Sequence, residues 1–413
     1  MGMKHFTTAI IGGGASGLIL STLLPKQQNI ALFERGERLG RKLSATGNGQ
    51  GNVTNAHAAD EEYFSFHKDG DAFAREKIKT YSNLSFAKYL QEKGLLLITD
   101  ERGRVYPAGR QASAITDALR FDVGNRGVEV FLQSKITDVQ KTKKGFLLTA
   151  ETNDGTQTFT ADNVVLCAGG KAAKNFGTDG NGYALAEKFG HTITPLFPSL
   201  VQLKTDTAHT KTLKGIRVND GLLTARLPDG KTIQVQGDII FTEYGISGDA
   251  VFRISAFLAA ELQTGKVALE IDFLPDFSEQ VIYDMLLSKK AVFSTLPIGE
   301  LLCGMVNNQI GRAILKYANG DLKKAAASVK AFPLTALGSL GFDYAQVTKG
   351  GVRLEEVDEN LQSRFVDGLY FAGEILDVDG QCGGFNLQWA YSSACTVAAA
   401  LNNAKNEKGR GQV

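Results

Sequence analysis

The stretch Ala9-Ile10-Ile11-Gly12-Gly13-Gly14-Ala15-Ser16-Gly17 decides the fold, because an apolar run passes directly into G-x-G-x-x-G. Ala9 to Ile11 reads as a short buried strand, and the residues after the glycines read as a helix. Gly12 permits the tight turn, Gly14 lets backbone approach a pyrophosphate, and Gly17 lets the helix pack closely on the strand. The phosphates then meet unpaired N–H groups at the positive end of a helix. Glu34 closes the next strand, 34 − 12 = 22 positions past the first glycine, near the roughly 20 expected of a carboxylate that accepts hydrogen bonds from an adenosine ribose. Its charge would repel a 2′-phosphate, so the nucleotide expected at this site is FAD or NAD, not NADP.

A lone glycine motif is weak evidence, since glycine-rich turns between strands and helices are common. Here strand, helix and acidic residue are all in place, which the motif requires. A second signature lies almost at the other end of the chain: Gly368-Leu369-Tyr370-Phe371-Ala372-Gly373-Glu374, then Asp377 and Asp379, then Gly383-Gly384-Phe385-Asn386. A long cofactor gripped at both ends needs this layout.

Composition narrows the class. With 413 residues, 43% hydrophobic content and 46 glycines, the chain is long enough for two or three domains with their own cores. The formal charge of +1, from 45 basic and 44 acidic residues, gives no global field for nucleic acid or an anionic membrane. Cys167, Cys303, Cys382 and Cys395 form no C-x-x-C, so neither a zinc half-site nor a dithiol centre is expected, and no metal is assigned. No apolar run approaches a membrane span, and the glycines interrupt the one that resembles a signal peptide. The expected location is the cytoplasm.

Residues 5 to 36 read as strand, helix, strand, and the Gly/Asn/Ser/Thr-rich segment from Gly40 to Asn55 as a functional loop. Helices are expected near 71 to 93 and 111 to 124, a hairpin near 95 to 107, and a meander over 128 to 168 ending in Cys167-Ala168-Gly169-Gly170. From about 191 the pattern turns to short strands, near 199 to 204, 213 to 227, 231 to 242 and 266 to 273. Helices follow near 278 to 290, 297 to 306 and 308 to 329. The expected fold is α/β with a discontinuous domain: residues 1–190 and 342–413 form the nucleotide-binding part, 191–277 an inserted β-rich unit, and 278–341 a helical segment of the insertion.

Ile10 to Gly17, Gly40-Arg41-Lys42-Leu43-Ser44-Ala45-Thr46-Gly47-Asn48-Gly49, Val347-Thr348-Lys349-Gly350-Gly351-Val352 and Gly368 to Asn386 together resemble the YhiN-like flavoproteins, a group with aminoacetone oxidase-like and BaiN-like members. The resemblance spans nearly the whole chain. It implies FAD, a three-layer Rossmann-type FAD domain, an inserted β-barrel-like domain, and a distant kinship with fumarate reductase-type flavoproteins. It places Gly14, Ala15 and Ser16 at the pyrophosphate, beside Gly12 and Gly17, and Glu34 with Arg35 at the adenosine. The loop carrying Arg41, Lys42, Ser44, Thr46, Gly47, Asn48, Gly49 and Asn52 runs beneath the pyrophosphate and along the flavin. Ile136 meets the adenine edge, with Ala168, Gly169 and Gly170 nearby. Gly373, Glu374 and Asp377 approach the ribityl chain and phosphates, while Gly384, Phe385 and Asn386 present N–H groups to the isoalloxazine ring. Many relatives read Gly-x-Gly-Arg-Cys-Asn where this chain has Gly47-Asn48-Gly49-Gln50-Gly51-Asn52. A guanidinium and a thiol are missing. The change either alters substrate or potential, or is neutral because backbone alone binds there.

The flavin carries the chemistry and few side chains need be essential. Candidate catalytic groups are Glu243 and Tyr244 in Phe241 to Gly248, the part of the insertion that the resemblance brings to the flavin between the two domains. Glu243 would serve as a base only if desolvated. Cys382 and Lys349 are further candidates. No second nucleotide unit is visible, so NADH or NADPH as donor would bind transiently over the flavin. The expected activity is an FAD-dependent oxidoreductase moving two electrons between flavin and a small organic substrate. The competing reading is a non-catalytic, FAD-binding redox sensor or scaffold; an RNA-modifying flavoprotein would need a basic face that the charge balance does not suggest.

Overall fold

The computed structural model describes residues 3–410; residues 411–413, at the end of the expected second part of the FAD domain, lie outside the described residues. Two compact units emerge, one of residues 1–196 with 347–413, the other of residues 197–346.

In the first unit the strand Lys4–Ile11 pairs in parallel with Ile30–Phe33 on one side and with Gly155–Leu166 on the other. Glu129–Phe131 extends the sheet beyond Ile30–Phe33, also in parallel. Strand Leu369–Phe371, from the far end of the chain, runs parallel to the last residues of Gly155–Leu166, with Val164 opposite Leu369. Carboxyl ends of all these strands therefore share one edge, and the chain order reverses around Lys4–Ile11, the arrangement that opens a binding crevice in α/β sheets. Ala9, Ile10, Val164, Val165, Leu369 and Phe371 are fully buried, as expected of strands covered on both faces. The opening half of Gly155–Leu166 also pairs antiparallel with Gly145–Thr152, which continues to Lys135–Thr142; this is the expected meander. Helices Ala15–Leu23 and Phe385–Arg410 pack against each other.

The second unit is a closed barrel of strands Leu203–Thr205, Gly245–Ser247, Thr232–Phe241, Arg217–Arg226, Val267–Asp272 and Phe332–Ser339. Phe332–Ser339 was not expected from the sequence. Its apolar residues follow a helical stretch without a glycine turn, and only pairing with Val267–Asp272 and Leu203–Thr205 defines it. The expected helix over 297 to 306 is absent, replaced by a single short turn at Ile298–Glu300. The one expected over 308 to 329 is two helices, Asn308–Tyr317 and Leu322–Lys330. Asn319 and Gly320 break it with positive φ of 51° and 76°, and Asp321 caps the second helix by accepting from the N–H groups of Lys323 and Lys324, a contact worth about 1 kcal/mol. These helices share one apolar core with the barrel, through residues such as Ile314, Val329, Leu269 and Phe332.

Candidate functional site

The three motif glycines do different physical work. Gly12 has φ +111°, and a β carbon there would overlap the Cys167 carbonyl oxygen. At Gly17 a β carbon would overlap the carbonyl oxygen of Gly12 itself. Gly14 is the opposite case: its φ is −78°, and nothing lies within 4 Å of where a β carbon would stand. Neither backbone strain nor the packing of the protein demands glycine at that position, and its absent side chain leaves the helix end open. Gly14 caps helix Ala15–Leu23 without any side-chain hydrogen bond, and no acidic residue occupies the first turn. This uncapped helix end fits an anionic diphosphate.

Glu34 is fixed by the turn it faces. One carboxylate oxygen accepts from the Gly13 N–H at 2.9 Å and the other from the Gly36 N–H at 2.6 Å. A carboxylate oxygen has further lone-pair capacity, so both remain able to accept a ribose hydroxyl. Arg35 turns away to pair with Asp179 at 2.6 Å. Burial pushes the Asp179 carboxyl up, but Arg35 and the Asn181 N–H outweigh it and hold the group below its ordinary value. Ile136 is buried in Lys135–Thr142, beside a register shift of that strand. Replacing Glu34 with Ala should weaken FAD retention by about ten-fold, the effect of losing one charged hydrogen-bond partner, and the FAD-to-protein ratio after dialysis measures it.

The closing signature meets the opening one directly. Ser16 Oγ donates to the Ala372 carbonyl at 3.2 Å, and Gly373, with φ +80°, has Ser16 Oγ where a β carbon would stand. Trp389 Nε1 donates to the Gly373 carbonyl at 3.1 Å, while the Gly373 N–H donates to Ser393 Oγ at 2.9 Å. Glu374 joins three loops: Lys42 Nζ donates to one of its oxygens at 2.7 Å and the Thr348 N–H to the other at 2.9 Å. Thr348 Oγ1 in turn accepts from the Lys171 and Ala172 N–H groups, just past Gly169 and Gly170. Asp377 is fully buried; one oxygen accepts from Ser65 Oγ and the Phe66 N–H, the Thr194 hydroxyl interacts with the carboxylate, and among the described residues Oδ1 is otherwise without a hydrogen-bond partner. Burial pushes its carboxyl up. An unpaired buried carboxylate oxygen is costly unless a hydroxyl reaches it, which fits the ribityl chain of FAD. Lys349 lies 3.9 Å from the buried Asp379 and over the Phe64 ring.

Gly384, with φ +102°, packs against the Thr54 carbonyl, so this turn rests on the segment that follows the flavin-type loop. The side chain of Asn386 closes the turn, accepting from the Gly380 N–H at 2.9 Å and donating to the Gly380 carbonyl at 2.8 Å. Helical bonding starts with the Gln388 N–H to the Gly384 carbonyl. Phe385, Asn386 and Leu387 therefore stand in the first turn, where N–H groups face outward.

In the loop, Gly40 donates to the Gly13 carbonyl at 2.7 Å, Arg41 to the Asn175 carbonyl at 2.9 Å, and Ser44 shares a 2.9 Å hydrogen bond with Thr116. Thr46 closes the short turn at Leu43, and Gly47, Asn48, Gly49 and Gly51 all have positive φ. Asn52 is buried, and its Oδ1 has no hydrogen-bond partner among the described residues. Gly51 has φ +77°, and Ala112 and Ile115 of the helix Ala112–Asn125 fill the space that a side chain would need. Gln50 Oε1 accepts from Arg110 at 3.1 Å, and the Arg110 guanidinium stacks on the buried Tyr106 ring, 4.3 Å from its centroid. A guanidinium, that of Arg110, thus stands beside Gln50, and no motif pointed to it.

Glu243 does not meet its condition for acting as a base. Its side chain is 70% exposed, and Lys214 at 2.6 Å holds its carboxyl below the ordinary value. Tyr244 is half-buried in a barrel turn shaped by Gly245 and Gly248, where β carbons would overlap the Leu203 and Asp238 carbonyls. This stretch builds the barrel. Cys382 is partly exposed, outside any disulfide, and precedes the turn glycines Gly383 and Gly384. Among the described residues no group of three or more His, Cys, Asp or Glu could hold a metal, and no helix is long and apolar enough to cross a membrane.

The profile of the family described as "HI0933-like protein Rossmann domain" matches residues 6–400. A 3-dehydro-bile acid delta(4,6)-reductase of Clostridium scindens is 35% identical, over 95% of this chain and 98% of that protein. A ribosomal RNA dihydrouridine synthase of Haemophilus influenzae is 28% identical, over 97% and 99%. Among solved structures, a 3-ketosteroid-delta4-(5alpha)-dehydrogenase from Rhodococcus jostii matches with a TM-score of 0.50 at 16% identity, covering 96% of this chain and 97% of that one. The open conformation of a flavocytochrome c3 fumarate reductase matches with 0.52 at 14%, covering 97% and 78%. At such identities these two structures show a common fold.

Proposed function

The chain belongs to the HI0933-like Rossmann family of FAD-dependent oxidoreductases, and from that premise we propose that it reduces a carbon–carbon double bond conjugated to a carbonyl in a small organic substrate. The observation that carries this reading is the 35% identity, over nearly the full length of both chains, to a protein named as a reductase of 3-dehydro-bile acids at the 4,6 position. The relative named as a dihydrouridine synthase points to the same bond type, because the double bond saturated in making dihydrouridine is conjugated to a carbonyl. FAD, when bound and reduced, supplies the hydride, with NADH or NADPH as the proposed source of its electrons.

To FAD we assign Gly14 to Ser16 and the helix end at the diphosphate, Glu34 at the ribose, Asp377 at the ribityl hydroxyls, and the first turn of Phe385–Arg410 at the ring. A helix N-terminus there stabilises the negative charge of a reduced ring by about 1 kcal/mol, or roughly 20 mV for two electrons. Arg110 is assigned to the substrate carbonyl. Stacked on Tyr106 and bonded to Gln50, its guanidinium is held before substrate arrives. A positioned donor of this kind stabilises the oxygen on which charge develops as hydride reaches the β carbon.

The test is anaerobic mixing of the photoreduced protein with a 3-oxo steroid acid carrying 4,6 unsaturation. Return of the oxidised flavin spectrum, with a product heavier by two hydrogens, is the expected result. Arg110→Ala should slow that step by about a hundred-fold while FAD content stays normal, and Arg110→Lys should recover part of the rate. If reduced flavin reacts with amine-derived imines or with ribosomal RNA but with no conjugated ketone, the substrate assignment is wrong.

A further inference from the structure

A cavity of about 380 Å³ opens beside the flavin-type loop, lined by Arg38, Arg41, Arg120, Ser113, Asp117 and Phe176 among others. That volume falls within the roughly 300–1,000 Å³ of small-molecule sites. Its lining shares Arg41 and Ser44 with the loop assigned to FAD, but includes none of the opening glycines, Glu34, or the closing signature from Gly373 to Asn386. Charge is unbalanced: of three guanidinium groups, only Arg120 is paired with a carboxylate of the wall, Asp117 at 2.9 Å. Arg120 also donates to the Leu39 carbonyl, and Arg41 to the Asn175 carbonyl. Arg38 has no hydrogen-bond or ion-pair partner among the described residues, and Ser113 stands in the first turn of helix Ala112–Asn125, whose N-cap Gln111 makes no capping bond. Phe176 is 40% exposed at the rim.

We propose that this cavity binds the adenosine 2′-phosphate end of a reduced nicotinamide dinucleotide, so that the electron donor of the reductase reading, on which this inference rests, is the phosphorylated form. A phosphomonoester dianion matches the surplus of guanidinium groups, since arginine offers a planar set of donors suited to phosphate. An exposed aromatic face at the same rim gives an adenine ring a surface to stack on. The site is also the complement of the one at Glu34, whose carboxylate disfavours a phosphorylated ribose. Two ribose environments of opposite charge sort the two nucleotides, FAD to the acidic one and the donor to the basic one.

The test uses the purified FAD-loaded protein, titrated by calorimetry with NADPH, NADH, 2′-AMP and a short single-stranded RNA. NADPH should bind about ten-fold or more tightly than NADH, as expected for one to two charged hydrogen bonds, and 2′-AMP should compete with it. Arg38→Ala and, separately, Ser113→Asp should bring the two dinucleotides to equal affinity while FAD content and thermal unfolding stay unchanged. An aspartate in a first helical turn is compatible with the helix, so a folding failure at Ser113 is not expected. Equal affinities in the unaltered protein, a preference that survives both substitutions, or loss of FAD from Arg38→Ala would overturn the assignment. So would RNA binding that needs Arg38 while 2′-AMP fails to bind. Reoxidation of photoreduced protein by a conjugated ketone uses no dinucleotide, so a failure there removes the substrate reading and leaves the phosphate preference as an independent result.

Discussion

Gly14→Val should fold, remain soluble and purify without colour. The space where its β carbon would stand is open, with nothing within 4 Å, and the backbone there already has φ −78°, which valine adopts without strain. The cost to the protein alone is confined to replacing a glycine N-cap by valine, about 1 kcal/mol or less. The cost to binding is much larger, because the isopropyl group occupies the approach of the diphosphate to the uncapped helix end. Two or more charge-assisted hydrogen bonds of roughly 1.5–3 kcal/mol each are lost, which lowers affinity by over about a hundred-fold. The measurement is the flavin absorbance of purified protein beside its thermal unfolding without FAD. A yellow Gly14→Val protein would show that the diphosphate lies elsewhere, and with it would go the assignment of the glycine turn.

Gly17→Ala, three residues away and chemically milder, should do the reverse and damage the fold itself. A single methyl at that position would overlap the Gly12 carbonyl oxygen, a backbone atom that cannot rotate aside. Either the helix Ala15–Leu23 lifts from the sheet or the strand–turn geometry opens, and each disturbs packing of Leu18, Ile10 and Leu166, all fully buried. The penalty is at or beyond the upper end of the about 1–3 kcal/mol typical of overpacking, set against a total stability of roughly 5–15 kcal/mol. A clear fall in soluble yield and in the denaturant midpoint of the FAD-free protein is expected, with FAD loss following from misfolding. If Gly17→Ala unfolds at the same denaturant concentration as the parent, the close contact between helix and turn does not exist.

This pair of predictions separates what was legible locally from what was not. The roles of Gly12 and Gly17 could be read from nine residues, because turn sterics are a property of neighbouring backbone. The barrel strands near 217 to 241 were visible for a similar reason, with alternation and a Pro228-Asp229-Gly230 turn between them. Phe332–Ser339 was not, because Pro333 and Gly338 argue against a strand interior, and only its partners supply the ladder. Glu243 illustrates the converse: the resemblance made it a base only on condition of desolvation, and its exposure and pairing with Lys214 are facts of packing.

The sequence by itself determined that strand, glycine turn and helix open a parallel α/β sheet, and that sterics demand glycine at positions 12 and 17. Only the tertiary structure decided which side chains stand together: Lys42 with Glu374, Ser65 with Asp377, and Arg110 with Gln50, at separations of 332, 312 and 60 residues. The reason is physical. Turn sterics and helix-end electrostatics act over a few bonds and leave a readable spacing, whereas long-range pairings follow from the parallel register that seats Leu369–Phe371 beside Gly155–Leu166 and so brings their following loops to one edge.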